Sequence, residues 1–278
     1  MIDECLPDVI GATNNILEIV KMHLKPRSIR KCAEAELYRE KLHQEIKEMR
    51  EQNLMDILSK AEEYIDSKID EKINIDESWI LNFIDASQNI CDSSMQDIMS
   101  RILAKKLTKP DSISIRTLKT ICELSFDECQ LFSKLLSYSI RTKDGRAFIF
   151  HPIVTNEYKK NSTTYIEHLR LAECGLTTML DDCYRIEPEE DANLIFGDHL
   201  GVIKADGNRV NSYCLSCLTT VGMEILNLLE QTLIIEYDLE FFKCAMRILK
   251  RENNFETSIH KLVAYDVEGI DYLSKNLL

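Results

Sequence analysis

Six basic side chains cluster in the middle of the sequence, where their combined charge could bind phosphate. They are Arg101, Lys105, Lys106, Lys109, Arg116 and Lys119. Asp111 is the one acidic residue among them, so this stretch has a net charge of +5 (six basic minus one acidic). Lysine and arginine contacts supply most non-specific affinity for nucleic acid, but no aromatic residue is interleaved for base stacking. Three roles stay open: a nucleic-acid contact, a contact with a protein partner or a second copy, and a solvated face.

Arg116 stands at the start of a predicted helix, where its positive charge opposes the helix dipole. A residue placed in this way needs a compensating partner, and Asp97 or Asp85 could accept a bidentate hydrogen bond from its guanidinium. We therefore predict a structural ion pair that joins two helices. A phosphate or nucleotide site at Arg116 is the alternative.

Other chemistry-bearing patterns are weak. Cys214 and Cys217 form a C-x-x-C pair, but no second pair completes the four ligands of a zinc site. The six histidines are scattered, and the sequence contains no dinucleotide-binding, P-loop or G-x-S-x-G motif. The sequence thus predicts no catalytic residue, no metal and no cofactor.

The net charge of −13 is unevenly distributed. Residues 1–78 contain 12 basic and 18 acidic side chains, residues 79–150 contain 10 and 8, and residues 151–278 contain 12 and 21. Proteins that bind nucleic acid usually have a basic domain. Only the central region could provide one, and the acidic ends favour protein partners or self-association.

The elements that position these residues are mostly helical, because Gly and Pro are scarce. An amphipathic helix is predicted over residues 8–24, and one or two long helices over residues 33–73. The second stretch has a narrow apolar stripe, which is typical of a helix that self-associates. Capping boxes at Ser93 and Ser125 predict the starts of two further helices.

The last third of the sequence predicts a helix, a β-hairpin and another helix. A capping box at Thr164 begins the first helix, and Asp206-Gly207-Asn208 is the predicted hairpin turn. Asp144-Gly145 is a second turn signal, read either as a hairpin or as a reversal between domains. The predicted fold is mainly α: a multi-helix N-terminal and central region followed by a small winged-helix-like α+β module with one β-hairpin. The predicted domains are residues 1–76, 77–150 and 151–278.

The location predicted from the sequence is the cytoplasm. Most of the ten cysteines stand singly in apolar patterns, which is typical of a reducing compartment. The first residues have neither a basic nor an apolar signal region, and no run of about eighteen apolar residues predicts a transmembrane helix.

Several segments resemble an uncharacterised bacterial family of unknown function. The resemblance rests on Gln96-Asp97, Ile102-Leu103-Ala104, Ser114-Ile115-Arg116-Thr117-Leu118, Leu124-Ser125, Phe132, Leu171 to Leu176, and Leu218-Thr219-Thr220-Val221-Gly222. Members of that family occur near prophage and mobile-element genes, and the pattern is distantly similar to abortive-infection alpha proteins. The resemblance implies a phage-defence or mobile-element setting and no known reaction.

Three functions follow as hypotheses. The first is a non-catalytic interaction or regulatory protein that binds a protein partner or a second copy. The second is a nucleic-acid-binding regulator that uses the central basic cluster. The third is a toxin or enzyme with an unrecognised site.

Overall fold

The computed structural model describes residues 33–65, 74–150, 164–178, 182–186, 191–204, 211–231, 235–253, 256–265, 270–273 and 275–278. The helix predicted at 8–24 lies outside these residues. The chain divides into two compact units, residues 1–115 and residues 116–278. This division falls at a different place from the predicted domain boundaries near 76 and 150, which stay predictions.

Unit 1 contains three described helices, and each of them buries several side chains. They are α1 (Ala33–Glu63), α2 (Glu77–Gln88) and α3 (Ser93–Thr108). In α1 the buried residues Asn53, Ile57 and Ala61 recur at every fourth position, as a single helix face requires. Trp79 and Phe83 of α2 are stacked with their ring centroids 5.3 Å apart. The unit is therefore held together by short apolar stripes.

Aspartates cap the two shorter helices of unit 1. The Asp76 carboxylate accepts a hydrogen bond from the Trp79 amide at 3.1 Å, and Asp92 accepts one from Met95 at 2.9 Å. The capping residue predicted at Ser93 is therefore wrong by one position, because the Asp92 carboxylate takes the orphan amide.

Unit 2 combines five helices with eight strands in its described part. Its helices are α4 (Ile115–Glu123), which begins at the division between the units, α5 (Phe126–Leu136), α6 (Tyr165–Glu173), α7 (Thr220–Gln231) and α8 (Leu239–Asn253). Its strands are β1 (Ser139–Thr142), β2 (Ala147–Phe150), β3 (Asp182–Ile186), β4 (Ala192–Phe196), β5 (His199–Ile203), β6 (Asn211–Cys217), β7 (Thr257–Tyr265) and β8 (Ile270–Tyr272).

The eight strands form one sheet in the order β3-β6-β2-β1-β4-β5-β7-β8, and each described pair is antiparallel. The prediction of a mainly α fold that ends in a winged-helix-like module with one hairpin is therefore wrong. Strands β3, β7 and β8 come from segments whose sequence pattern did not predict strands. Long-range pairing with neighbouring strands, rather than local pattern, places them in the sheet.

The hairpin predicted around Asp206-Gly207-Asn208 is also wrong. Strand β5 pairs with β4 and β7, whereas β6 pairs with β2 and β3. Both sides of β5 are thus occupied, so β6 cannot pair with it. The Asp144-Gly145 signal does correspond to a hairpin, since β1 pairs with β2 and Gly145 has a φ of +84°.

Helix α8 packs against β4 and β5 through aromatic rings. The rings of Phe196 and Phe242 are stacked with centroids 4.7 Å apart. A Cβ atom added to Gly201 would lie 2.7 Å from the Phe242 ring. A glycine at position 201 therefore lets the helix approach the sheet closely.

Two segments that carry the family resemblance touch each other at the start of α7. The Thr219 hydroxyl donates a hydrogen bond to the Gly175 carbonyl at 2.6 Å, and the Thr219 amide donates one to the Leu176 carbonyl at 3.1 Å. A Cβ atom on Gly222 would lie 2.2 Å from the Leu176 carbonyl oxygen. Only a residue without a side chain fits at this position.

The capping boxes predicted at Ser125 and Thr164 are confirmed at the starts of α5 and α6. Two ion pairs join these helices: Lys134 lies 3.4 Å from Glu167, and Arg170 lies 3.4 Å from Glu128. The start of each helix therefore lies beside the end of the other, so they run antiparallel.

Candidate functional site

The basic cluster predicted from the sequence is divided between the two units. Arg101, Lys105 and Lys106 lie on α3 and Lys109 caps its end, whereas Arg116 and Lys119 lie on α4 at the start of unit 2. Lys109, Arg116 and Lys119 are exposed. Burial lowers the pKa of Lys105, and the charge of Lys109 lowers it further. Contact with nucleic acid or a partner stays a prediction for this set.

Lys106 is buried rather than displayed. Lys106 is 8% exposed, and its Nζ donates a hydrogen bond to the Ile113 carbonyl at 2.8 Å. The same ammonium lies 5.0 Å from the centroid of the Trp79 ring. Lys106 therefore stabilises the chain that follows α3, which the pattern of charges alone did not reveal.

Asp97 has partners within unit 1. The Arg101 Nε donates to its carboxylate at 2.8 Å, and the Tyr64 hydroxyl donates to the same carboxylate. The Arg101 guanidinium also lies 4.1 Å from the Tyr64 ring centroid. Burial alone would raise the pKa of Asp97, but the hydrogen bonds from Arg101 and Tyr64 lower it overall. Asp85 is exposed, and the pairing of either aspartate with Arg116 stays a prediction.

Unit 2 contains a pocket of about 500 Å³ beside the end of β4. Its lining residues are Arg141, Ile195, Gly197, Asp198, Glu230, Ile235 and Tyr237. Arg141 on β1 and Ile195 on β4 are cross-strand partners, so their side chains lie on the same face of the sheet. Glu230 reaches the pocket from α7. The volume lies within the usual range for small-molecule sites.

A buried arginine organises the polar wall of this pocket. Arg141 is 9% exposed. Its Nη2 donates to Asn227 Oδ1 at 2.7 Å and to Glu230 Oε2 at 2.5 Å, and its Nε donates to Glu230 Oε1 at 3.3 Å. This fork-to-carboxylate arrangement fixes both side chains. Among the described residues, Nη1 has no acceptor.

Tyr237 extends the same network. Its hydroxyl donates a hydrogen bond to Glu230. Burial and then the negative charge of Glu230 raise the pKa of Tyr237, so the phenol stays protonated at neutral pH. Its ring lies edge-on to Phe196, with centroids 5.0 Å apart. Gly197 has a φ of +54°, and a Cβ there would lie 2.7 Å from the Tyr237 ring, so a glycine is needed on both counts.

The exposed rim of the pocket carries a second pair of opposite charges. The Asp198 carboxylate lies 2.6 Å from His199 Nδ1 and forms an ion pair with Lys261. Burial and then the charge of Lys243 lower the pKa of His199, which favours the neutral ring. The charge of Asp198 is therefore balanced by Lys261 and not by the histidine.

The sequence reasoning missed Arg141, Glu230 and Tyr237. One signal could have placed Arg141 in a strand: it lies three residues before the Asp144-Gly145 turn of a hairpin. The burial of all four residues of that strand is visible only in the structure. Its carboxylate partner is 89 residues away, and no local pattern joins positions at that separation.

The first half of α1 forms an arm, defined here as residues 38–52. No described side chain in the arm is buried, and Leu42, Ile46 and Met49 are half-buried along one stripe. The described hydrogen bonds that join α1 to α2 and α3 begin at Asn53, whose Nδ2 donates to the Gln88 carbonyl at 3.0 Å. Gln88 ends α2, so the arm extends beyond the turn between α2 and α3.

Metal and membrane signatures can be judged for the described part of the chain. There, no group of three or more His, Cys, Asp or Glu residues is arranged to hold a metal ion. No helix in the same part has both the length and the apolar character needed to cross a bilayer. The Cys214 side chain lies outside the described set, and Cys217 is half-buried and forms no disulfide.

Helical unit 1 and the sheet of unit 2 together define a two-unit protein with both α and β structure. The model of the family described as "Protein of unknown function (DUF2806)" matches residues 38–241. Because this match covers most of the 278 residues, the chain belongs to that family. The resemblance to an uncharacterised family of unknown function is thus confirmed. No curated protein and no solved structure matches the chain.

Proposed function

We propose that this protein is a non-catalytic interaction and regulatory protein that pairs with a second copy of itself through the arm of α1. The observation that supports the proposal is the apolar stripe of the arm, which joins no buried core in the described part of unit 1. Leu42, Ile46 and Met49 recur at steps of four and three. This spacing averages 3.5 residues, the repeat with which two helices keep a common seam.

The charges beside the stripe favour a parallel pair in register. Glu45 and Arg50 lie on opposite flanks of the stripe and are five residues apart. In a parallel pair in register, a residue on the Glu45 side of the stripe faces the residue five positions later on the partner helix. Glu45 of one copy would then face Arg50 of the other, and the same contact would form twice by symmetry.

Light scattering of the purified full chain tests the pairing. We expect a mass near twice 32.2 kDa at tens of micromolar protein. Ile46→Asp should reduce it to that of one chain, because a charge would enter the apolar seam. Gln44→Asp is the matched control, since it adds the same charge on the exposed opposite face of the arm. A monomeric wild-type chain, or equal effects of the two variants, would refute the proposal.

Charge exchange tests the orientation. Glu45→Arg and Arg50→Glu should each weaken the pair about two- to fivefold, because each places like charges opposite one another. The double variant should restore the wild-type affinity. Failure of this restoration would reject the parallel register.

The resemblance adds a phage-defence or mobile-element setting to this proposal. Family members whose genes lie consistently beside phage or mobile-element genes would support that setting. A neighbourhood of unrelated housekeeping genes across the family would contradict it.

A further inference from the structure

The pocket of unit 2 offers both hydrogen-bond donors and acceptors to an incoming molecule. Arg141 lines it with a guanidinium whose Nη1 has no acceptor among the described residues, while its other donors are engaged by Asn227 and Glu230. The carboxylates of Glu230 and Asp198 supply acceptors on the same lining. A ligand that carries both an acceptor and a donor would therefore find partners for each.

The charges of the pocket are already balanced. Glu230 neutralises Arg141, and Lys261 neutralises Asp198. An anion would compete with Glu230 for the guanidinium and would be repelled by both carboxylates. A cation would compete with Arg141 and Lys261 in the same way. Because charged ligands also lose hydration on entry, the arrangement favours a neutral molecule.

The remaining walls are apolar or aromatic. Ile195 and Ile235 contribute aliphatic surface, and Tyr237 contributes a ring held by its hydrogen bond to Glu230 and its contact with Phe196. Aliphatic and aromatic walls of this kind suit a flat ring. A volume of about 500 Å³ accommodates one or two rings.

We propose that this pocket binds a neutral cyclic amide, a ring in which a carbonyl stands beside an N–H, of the size of a nucleobase or a nucleoside. The carbonyl accepts from Arg141 Nη1, the N–H donates to Glu230 or Asp198, and the ring lies against Ile195 and Ile235. This site is independent of the arm, so its failure would leave the pairing of two copies untouched.

Saturation-transfer NMR on the full chain with small probes tests the ligand class. We expect 2-pyridone and uracil to bind with millimolar dissociation constants. Benzoate and benzamidine have rings of the same size but carry a negative and a positive charge, and we expect at least tenfold weaker binding for both. Uridine distinguishes the two sources: tighter binding than uracil identifies a nucleoside site, and weaker binding identifies a free base. Stronger binding of either charged ring, or no binding of 2-pyridone and uracil at 10 mM, would overturn the proposal.

Matched variants locate the binding. Ile235→Trp fills the pocket and should weaken 2-pyridone binding at least tenfold. Ile166→Trp makes the same change on α6, where the side chain is 73% exposed and does not line the pocket, and it should have no effect. Arg141→Lys keeps the charge but removes the guanidinium fork, and it should also weaken binding. A melting temperature within a few degrees of wild type confirms that each variant is folded. Unchanged binding by folded Ile235→Trp would place the ligand elsewhere and reject the site.

Discussion

At the scale of single residues, Arg141 of unit 2 is a buried charge that the amino-acid composition does not reveal. Arg141 lies in a strand, buried, and its guanidinium is fixed by Asn227 and Glu230 from α7. Removing one partner of a buried ion pair leaves an uncompensated charge, which costs more than the pair contributes. Lys106 in unit 1 is held in a comparable way by the Ile113 carbonyl and the Trp79 ring.

Glu230→Gln should therefore destabilise unit 2 by about 2 to 3 kcal/mol, because Arg141 would keep its charge without a carboxylate. Urea unfolding followed by circular dichroism measures the change. Glu240→Gln is the matched control, since Glu240 pairs with Lys243 but its side chain is 63% exposed. We expect less than about 0.5 kcal/mol for that variant. Equal losses for the two variants would show that the burial of Arg141 has no energetic importance.

Glu128 makes the stability of unit 2 depend on pH. The Ser125 backbone amide and then the Ser125 hydroxyl bind its carboxylate and lower its pKa from 4.5 to about 2. The unfolded chain takes up this proton first as the pH falls. The stabilisation is therefore complete above about pH 4.5 and is lost between pH 4.5 and about 2.

Glu128→Gln should flatten the fall of the melting temperature across that pH interval. Asp127→Asn removes the neighbouring exposed carboxylate, which does not close the capping box, and should leave the slope close to that of wild type. If the melting temperature of Glu128→Gln falls with pH as steeply as that of wild type, the Glu128 carboxylate is not the cause of the pH dependence.

At the scale of elements, the backbone at Gly222 lies very close to the backbone at Leu176. This close approach brings the segments 171–176 and 218–222, which both carry the family resemblance, into direct contact. The start of α7 lies against the Leu176 carbonyl, and Thr219 donates hydrogen bonds to Gly175 and Leu176. The side chain that would separate them is absent. The two segments therefore act as one structural joint between the end of α6 and the start of α7.

Gly222→Ala should lower the stability of unit 2 by about 2 to 3 kcal/mol, because the added methyl would meet a backbone oxygen that cannot rotate away. We expect a fall in melting temperature of about 5–10 °C, measured by circular dichroism. Gly145→Ala is the comparison. It has open space around it but a φ of +84°, so it should cost about 1 kcal/mol from backbone strain alone. A smaller effect at Gly222 than at Gly145 would contradict the close approach.

Short sequence motifs correctly predicted those helix starts and turns that depend only on neighbouring residues. The capping boxes at Ser125 and Thr164 mark the true starts of α5 and α6, and Asp144-Gly145 marks a true hairpin. The sheet could not be predicted in this way, because β2 pairs with β6 and β5 pairs with β7 across long stretches of sequence. The pocket has the same origin, since Arg141 and Glu230 meet only when β1 and α7 are brought together.

At the scale of the whole molecule, the two units can be followed separately. The chain has a single tryptophan, Trp79, and it is buried in unit 1. Its fluorescence therefore reports the packing of α2, while the amide I infrared band of β structure reports the strands of unit 2. This difference allows each unit to be tested without separating it from the other.

Gly222→Ala should shift the β-structure transition and leave the Trp79 fluorescence transition within about 2 °C of wild type. The reason is that the substitution touches only contacts inside unit 2. Ile57→Ala, which empties a fully buried position of α1, is the reciprocal variant and should shift the fluorescence transition first. Transitions that move together in both variants would show that the two units unfold as one.

The strand order of the sheet also constrains when the protein can fold. Strands β1 and β2 are synthesised early in unit 2, but β2 needs β6 at residues 211–217, and β5 needs β7 at residues 257–265. The helices of unit 1 need only near neighbours, which form quickly. During synthesis the N-terminal helices can therefore assemble first. Strands β2 and β5 lack these partners until β6 and β7 have left the ribosome. That interval leaves strand edges of the nascent chain unpaired, and such edges can aggregate until their partner strands have been synthesised.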